Sequence, residues 1–473
     1  MPPRVCPHAD ILDPSVLADV IEGELRIGAE QAMRLYHEMP LHDLARWADA
    51  RCRVLHGDHI RTYVIDRNIN YTNICTARCT FCAFRRDADD EDAYTLEFES
   101  LAEKIAQLVA VGGTQILMQG GMNPALPLAW YLDLLRAIRR RFPQVHVHAF
   151  SPPEFVEFVR FFDPPGGTLR AKVRWVMKRM QEAGLDSIPG GGGEIFAPTV
   201  RRRIGLGKCD AESWLTVMHV AHELGMNTSG TMMFGHLEGI ADRIHHMDLI
   251  RIWQDRALAD FAVDGGGRYM AFISWPFQRE NTPLGRLKEW GQGETDSVSD
   301  PFPGDVVARL DGSGDDRAHA QFGRRLRLAG GSDYLRTQAL SRLYLDNIYS
   351  IGASWVTMGP HIGQVGLHCG ANDMSSIMME ENVVSAAGTT YCLGEPQICR
   401  LIRDAGFIPA QRGNAYNLLK VHDGDDAPDR RIDDWSSLRG DRLHVHTEPK
   451  PTTVTDVTLS ISAGDESPSA SRL

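Results

Sequence analysis

Long apolar runs are missing from this chain of 473 residues. None reaches the ~18–20 residues that a bilayer-spanning helix needs, so a membrane is not an expected partner. The first residues, MPPRVCPHADILDP, lack the apolar core of a secretory signal, and the expected compartment is the cytoplasm. Basic residues are in deficit, with 50 Lys and Arg against 62 Asp and Glu and a formal net charge of −12. A nucleic-acid binder would carry a basic footprint, so no nucleic-acid partner is expected. Cysteine is scarce and odd in number, nine in all, which argues against a disulfide framework. Heptads and short fixed-period repeats are also missing.

What remains is ordinary for a folded protein: 43% hydrophobic and 24% charged residues. A chain this long buries a sizeable core without staples. Residues 1–60 read as a helical extension. Asp13-Pro14 is a helix start, Leu17, Val20, Ile21 and Leu25 recur at helical spacing, and a second periodic stretch runs from Ala29 to Leu55. Beyond it, short apolar strands alternate with amphipathic helices. The expected strands are Ile69–Thr72, Gln115–Met118, Val145–Phe150, Leu185–Ile188, Thr228–Phe234, Tyr269–Trp275, Ser354–Met358 and Asp373–Met378. Helices are expected at Leu101–Val111, Leu128–Arg141, Glu212–Leu224 and Tyr334–Ile351. Strict alternation implies an α/β fold with a parallel sheet, and eight strands imply a (β/α)8 barrel over residues 61–418. Residues 287–331, rich in Gly, Asp, Ser and Pro, read as a surface insertion, at least partly disordered, and residues 419–473 as a largely disordered tail.

The strongest chemical signal is NYTNICTARCTFCAF, in which Cys75, Cys79 and Cys82 stand as Cys-x3-Cys-x2-Cys. Structural zinc takes four ligands, usually in two Cys-x2-Cys pairs. Three thiolates can instead hold three irons of a four-iron cluster and leave one open to a small molecule. Three metal-free thiols, or zinc completed by a distant His or Cys, are the alternatives. Phe81 and Phe84 would shield a cluster.

This spacing, with an aromatic before its last cysteine, resembles the radical S-adenosylmethionine enzymes. The resemblance extends over most of residues 15–418 through DRNINYTNIC, QGGMNP, HAFSPPE, GLDSIPGGGGEIF, AHELGMNTSGTMMFGH, ENTPL, SRLYLDNI, GANDM and MEENVVSAAGT, which look like the menaquinone and deazaflavin branch. Within it, HAFSPPE, SWVTMGPHIGQVGL, GANDMSSIMMEENVVSAAGT and PAQR look most like the cyclic dehypoxanthine futalosine synthases. The aminofutalosine synthases and deazaflavin F0 synthases are the nearest alternatives, and a non-enzymatic metal-binding protein is the alternative of another class. The resemblance implies a radical SAM barrel, a [4Fe-4S] cluster on Cys75, Cys79 and Cys82, and S-adenosyl-L-methionine on the open iron. It also implies an electron donor such as flavodoxin or ferredoxin, and a small-molecule substrate, dehypoxanthine futalosine.

Four further groups are candidates. Gln119, Gly120 and Gly121 end the second strand at the carboxyl face, where glycine lets the backbone approach a ligand. The resemblance gives this turn the amino group of S-adenosylmethionine; an ordinary strand-to-helix turn is the alternative. Glu194 follows four glycines that lack the Lys and Ser/Thr of a P-loop, and the resemblance gives it ribose hydroxyls, with an ion pair to the Arg201–Arg203 run as the structural alternative. The reaction the resemblance implies closes a ring onto an arene and loses a proton, so a base is needed; His148, His236, Asp373 and Glu380 stand at expected strand ends. Asn372 and Asp373 together could bind polar substrate atoms, with a turn or capping role as the alternative. His219, His222, His245 and His246 lack an acidic partner at zincin spacing and read as surface or interface residues. Cys6, Cys52, Cys209, Cys369, Cys392 and Cys399 read as packing residues.

Overall fold

The computed structural model describes residues 3–205, 207–261, 263, 265–289, 325–389, 391–432, 434 and 435. The barrel starts with Ile60–Val64 and Asp66–Asn70, two halves of one run. The second half pairs in parallel with Gln115–Gln119, which pairs in parallel with His146–Ala149. His148 then bridges Ser187, and Ile188 bridges Thr228, so the strand expected at Leu185–Ile188 is a two-residue rung. Thr228–Phe234, Tyr269–Pro276, Ser350–Gly352 and Asp373–Ser376 follow, each parallel to the last. The ring closes where Asp373 faces Thr62 and Ser376 faces Val64. Helices Phe98–Ala110, Leu128–Arg141, Pro152–Phe162, Ala211–Glu223 and Ile240–Phe261 return the chain outside the sheet. Both faces of the strands are thereby covered, as a parallel sheet requires.

The seventh strand lies earlier than the sequence suggests. The preceding helix stops at Tyr344, Ser350–Gly352 forms the strand, and Trp355–Met358 is a short helix. The expected strand Ser354–Met358 is rich in β-branched and aromatic residues, but its side chains serve other contacts. Ser354 donates its amide to Tyr334, and the buried Trp355 indole donates to the carbonyl of Ser376.

A strand missed in the sequence, Ile408–Arg412, lies parallel to Ile60–Val64, from Ile408 opposite Ile60 to Gln411 opposite Tyr63. It turns back as Leu418–Val421, antiparallel to it. Ordered structure therefore crosses the expected boundary at 418 and continues to Trp435. Residues 436–473 of the expected tail, and 290–324 of the expected insertion, lie outside the described residues. The edges of that insertion are built into the fold: Leu326 is fully buried and donates its amide to the carbonyl of Lys288.

The amino-terminal extension is three helices, Pro14–Glu22, Ala29–Glu38 and Leu41–His56. Pro40 splits the second periodic stretch, since proline cannot supply an interior helical donor. These helices pack on Gly331–Tyr344, where Arg336 donates to the carbonyls of Tyr36 and Met39. His219, His222 and His246 are buried and not at the surface. His222 is bonded to Thr228, and His246 stacks on Phe196 at 4.0 Å. Among the described residues, no helix is long and apolar enough to cross a membrane.

Candidate active site

The cysteine loop leaves the carboxyl end of Asp66–Asn70. Asn73 ties its two ends together, accepting from the amide of Tyr94 and donating to the carbonyl of Asp92. Cys79 and Cys82 form a tight turn closed by a 3.2 Å amide–carbonyl bond, and the amide of Thr76 reaches the carbonyl of Met122. All three thiols are free and pack with Ala77, Phe81, Met122 and Phe161 in an apolar cluster of their own. Burial pushes the Cys79 thiol up to about 12 and raises Cys75 as well; bound metal displaces such protons. Among the described residues, no three His, Cys, Asp or Glu converge as the ligands of a single ion would. Thiolates of a four-iron cluster each take a different iron, and three thiols on one loop in an apolar shell fit that donor set.

The glycine turn presses directly on this loop. A Cβ on Gly121 would sit 2.1 Å from the carbonyl oxygen of Ile74, and one on Gly120 would sit 2.4 Å from the Tyr71 ring. Only glycine allows that approach. The turn is fixed by Glu154, a residue not singled out in the sequence. Its Oε1 accepts from Tyr71 at 2.6 Å and from the amide of Gly120 at 3.2 Å. Its Oε2 accepts from the amide and hydroxyl of Ser151, both at 2.7 Å. The signal was present in HAFSPPE, because Ser-x-x-Glu at a helix start is a capping box.

A cavity of about 330 Å³ opens inside the barrel, within the range of small-molecule sites. Gln119, Gly191, Glu194 and Trp275 line its carboxyl-end side, and Asp66, His148, Asp373 and Arg412 contribute deeper in the barrel. Glu194 is buried, at a φ of +34°. Such backbone strain clusters at functional sites. Its Oε1 lies 2.8 Å from Nζ of Lys208, and Arg201 stands further off at 3.7 Å. Arg201 instead donates to the carbonyls of Gly192 and Gly193, holding the glycine run in place. Lys208 sits over Phe81 at 4.9 Å from the ring centre, so Glu194 joins the cavity to the cysteine loop.

The sequence profile of the radical SAM superfamily matches residues 69–250, and that of the CofH/MqnC C-terminal region matches residues 315–424. The chain is 36% identical over 415 residues to a cyclic dehypoxanthine futalosine synthase of Halalkalibacterium halodurans, covering 88% of this chain and 97% of that protein. It is 34% identical to an aminodeoxyfutalosine synthase of Thermus thermophilus, over 89% of this chain and 97% of that protein. The chain belongs to the radical SAM superfamily. A 5-amino-6-(D-ribitylamino)uracil–L-tyrosine 4-hydroxyphenyl transferase of Methanopyrus kandleri is also 34% identical, over 87% of this chain and 94% of that protein. In fold, this radical SAM enzyme is similar to a methylornithine synthase, with a TM-score of 0.55 at 15% identity, covering 84% of this chain and 97% of that one.

The four expected bases have different surroundings in this radical SAM enzyme. His236 is fully buried, with Nε2 on the carbonyl of Met233 and Nδ1 accepting from the amide of Leu237. Glu380 is held by Arg67 and Lys104 in a buried ion cluster. Asp373 lines the cavity but accepts two bonds from Arg412, at 2.6 and 2.9 Å, and one from Thr62. Its neighbour Asn372 is a framework residue, accepting from Arg342 and from the amide of Ile351. His148 lines the cavity and spends Nδ1 on Ser187, which leaves Nε2 available there. Burial, with His146 and Arg412 nearby, lowers His148 to about 3, so the imidazole is neutral at pH 7.

Sequence reading also missed Asp66, Arg412 and Lys208. Asp66 sits in a strand, bonded to Ser376 and Gln115, and burial lifts its carboxyl to about 6. Asp66 and Arg412 stand inside the motifs DRNINYTNIC and PAQR, but no local pattern gives any of the three a role, which comes from partners brought together by folding.

Proposed function

We propose that this radical SAM enzyme closes dehypoxanthine futalosine into cyclic dehypoxanthine futalosine on the futalosine route to menaquinone. Similarity to proteins of that name over nearly their whole length supports the reading. The observation that carries it is His148, a neutral imidazole with a free nitrogen on the cavity. Closing a ring onto an arene leaves a hydrogen on the attacked carbon, and restoring the arene requires its loss as a proton. Addition to an open alkene, the chemistry of the aminofutalosine alternative, leaves no ring proton to remove.

In this reading Cys75, Cys79 and Cys82 hold the [4Fe-4S] cluster. Gln119, Gly120 and Gly121 meet the amino group of S-adenosyl-L-methionine, and Glu194 takes ribose hydroxyls. When bound, the cluster would supply the electron for reductive cleavage of S-adenosylmethionine, and with it the radical chemistry at the substrate sugar. The protein's own part is to hold the reacting atoms close and dry, which the enclosing sheet provides. His148 takes the ring proton, and Asp373, fixed by Arg412, keeps the cavity floor in place. The reductant is a small donor protein such as flavodoxin or ferredoxin.

The test is anaerobic incubation of reconstituted protein with dithionite, S-adenosylmethionine and dehypoxanthine futalosine. Substrate-dependent 5′-deoxyadenosine with a product lighter by two hydrogens is the expected result. Deoxyadenosine without that product would transfer the assignment to a sister activity of the branch.

A further inference from the structure

The barrel interior contains a hydrogen-bonded chain that leads away from the cavity. Nδ1 of the buried His148 lies 2.6 Å from Oγ of Ser187. On the other side of that hydroxyl, also at 2.6 Å, is Nε2 of His146. The His146 side chain is 32% exposed, and its Nδ1 faces Asp186, itself 31% exposed, at 4.0 Å. The register produces this order. His146 and His148 are two apart on one strand and so share a face, and Ser187 is the residue bridged to His148 on the next rung.

The chain also has a direction. Asn414 donates its amide nitrogen to Oγ of Ser187 at 3.0 Å and to Nε2 of His146. With the Asn414 NH2 as donor, Nε2 of His146 serves Asn414 and Ser187 alternately as acceptor, and the arrangement a conduit requires puts that ring's proton on Nδ1, toward Asp186. His148 then donates from Nδ1 to Ser187, and the serine hydroxyl donates to His146. Each link points outward, and Nε2 of His148 is left as a lone pair on the cavity.

We propose that His148, Ser187 and His146 form a proton conduit that carries the proton lost in ring closure from the cavity to solvent. The inference rests on the ring-closure reading given above. The carbon–hydrogen bond at the attacked ring atom breaks, and its proton goes to Nε2 of His148. The remaining electron of the ring goes to a one-electron acceptor of the iron–sulfur class, and the arene is restored. The Nδ1 proton of His148 passes to Ser187, the serine proton passes to Nε2 of His146, and the Nδ1 proton of His146 leaves to Asp186 or water. One proton crosses, and no relay residue keeps a charge. Both rings end in the opposite tautomer and return to the first by reorientation between turnovers.

The surroundings suit such transfer. His146 and Arg412 face His148, with Asp66 and Asp373 on the same cavity, and Asp186 and Arg139 face His146. Burial holds both imidazoles below their ordinary range, so neither traps a proton at neutral pH.

The experiment uses the full reconstituted chain with dithionite, S-adenosylmethionine and dehypoxanthine futalosine, reading deoxyadenosine, cyclised product and the rate ratio in H2O and D2O. Ser187→Ala and His146→Phe are expected to lower product formation by about a hundredfold, the lower end for positioned proton transfer. Deoxyadenosine per product should rise and the solvent isotope effect should grow. Ser187→Thr, which keeps the hydroxyl, should restore coupling. An unchanged deoxyadenosine-to-product ratio and isotope effect in Ser187→Ala would overturn the conduit. Nitrogen NMR of histidine-labelled protein reads the tautomers independently of turnover. Nδ1–H on both rings is expected, and a proton on Nε2 of His148 would overturn the conduit even if the wild type cyclises its substrate. Wild-type protein that makes no cyclised product, yet shows the expected tautomers, would overturn the ring-closure reading and leave a conduit for some other proton.

Discussion

Half-buried Lys208 and buried Glu194 form an ion pair, with Nζ 2.8 Å from Oε1, at the junction of the cysteine loop and the barrel cavity. Burial works against the ammonium, but Glu194 and the Cys79 sulfur beside it hold it above its ordinary range. Lys208→Met keeps the aliphatic stem and leaves a buried carboxylate without its nearest cation. Such a loss costs about 3–5 kcal/mol, to be read by denaturant unfolding. The double variant Lys208→Met, Glu194→Gln is expected to recover part of it, because no charge is then stranded.

Gly121→Ala places a methyl 2.1 Å from the Ile74 carbonyl and 2.9 Å from Cβ of Cys75. The cysteine loop must shift, and the iron and sulfide content after reconstitution is expected to fall well below wild type. Gly330→Ala, whose added methyl meets nothing within 4 Å, serves as the control and should reconstitute normally. Cys75→Ala, Cys79→Ala and Cys82→Ala should each lose the cluster, and Cys6→Ser, at an exposed thiol, should keep it.

The barrel was legible in the sequence wherever strands are apolar. Gln115–Gln119, Thr228–Phe234 and Tyr269–Pro276 lie where Ile116, Met118, Met232, Met233 and Phe272 placed them. Ile60–Val64 and Ile408–Arg412 were invisible for the opposite reason. Their buried positions include Arg61, Thr62, Gln411 and Arg412, which read as surface residues until their partners are known. The cysteine spacing needed no structure. Lys208 and Asp66 did, because each acts through a residue brought close only by folding, and Glu154, though visible as a capping box, needed the structure to show its bonds to Tyr71 and Gly120.

Asp66 gives a pH dependence of known sign. Burial, its largest influence, lifts the carboxyl to about 6 against the opposing bonds from Ser376 and Gln115. The folded state thus binds this proton more tightly than the unfolded chain. The contribution to stability is full below about pH 4 and is lost as pH rises to about 6. Asp66→Asn should therefore exceed wild type in stability at pH 7 by up to about 3 kcal/mol, with the difference closing near pH 4. Unfolding curves of both proteins across that range decide it.

Arg412 and Asp373 join the outer strand to the last barrel strand by two bonds, both buried. Arg412→Ala strands the carboxylate at the cavity floor and is expected to cost about 3–5 kcal/mol. Pairing it with Asp373→Ala should return a measurable part, and a double-mutant cycle in thermal unfolding gives the coupling.

The strand Ile408–Arg412 lies against Ile60–Val64, and that pairing has a consequence for biosynthesis. The ribosome exposes the earlier segment long before the later one exists. At about 5–20 residues per second, roughly 20–70 s separate them. Until Asp373–Ser376 is made, Arg61 and Thr62 have no partner strand on either side, and until Ile408–Arg412 follows they lack one, so the nascent chain presents an open sheet edge to any chaperone that binds such edges. Synonymous codons that slow translation between the two segments would lengthen the interval and lower the soluble yield without changing a residue.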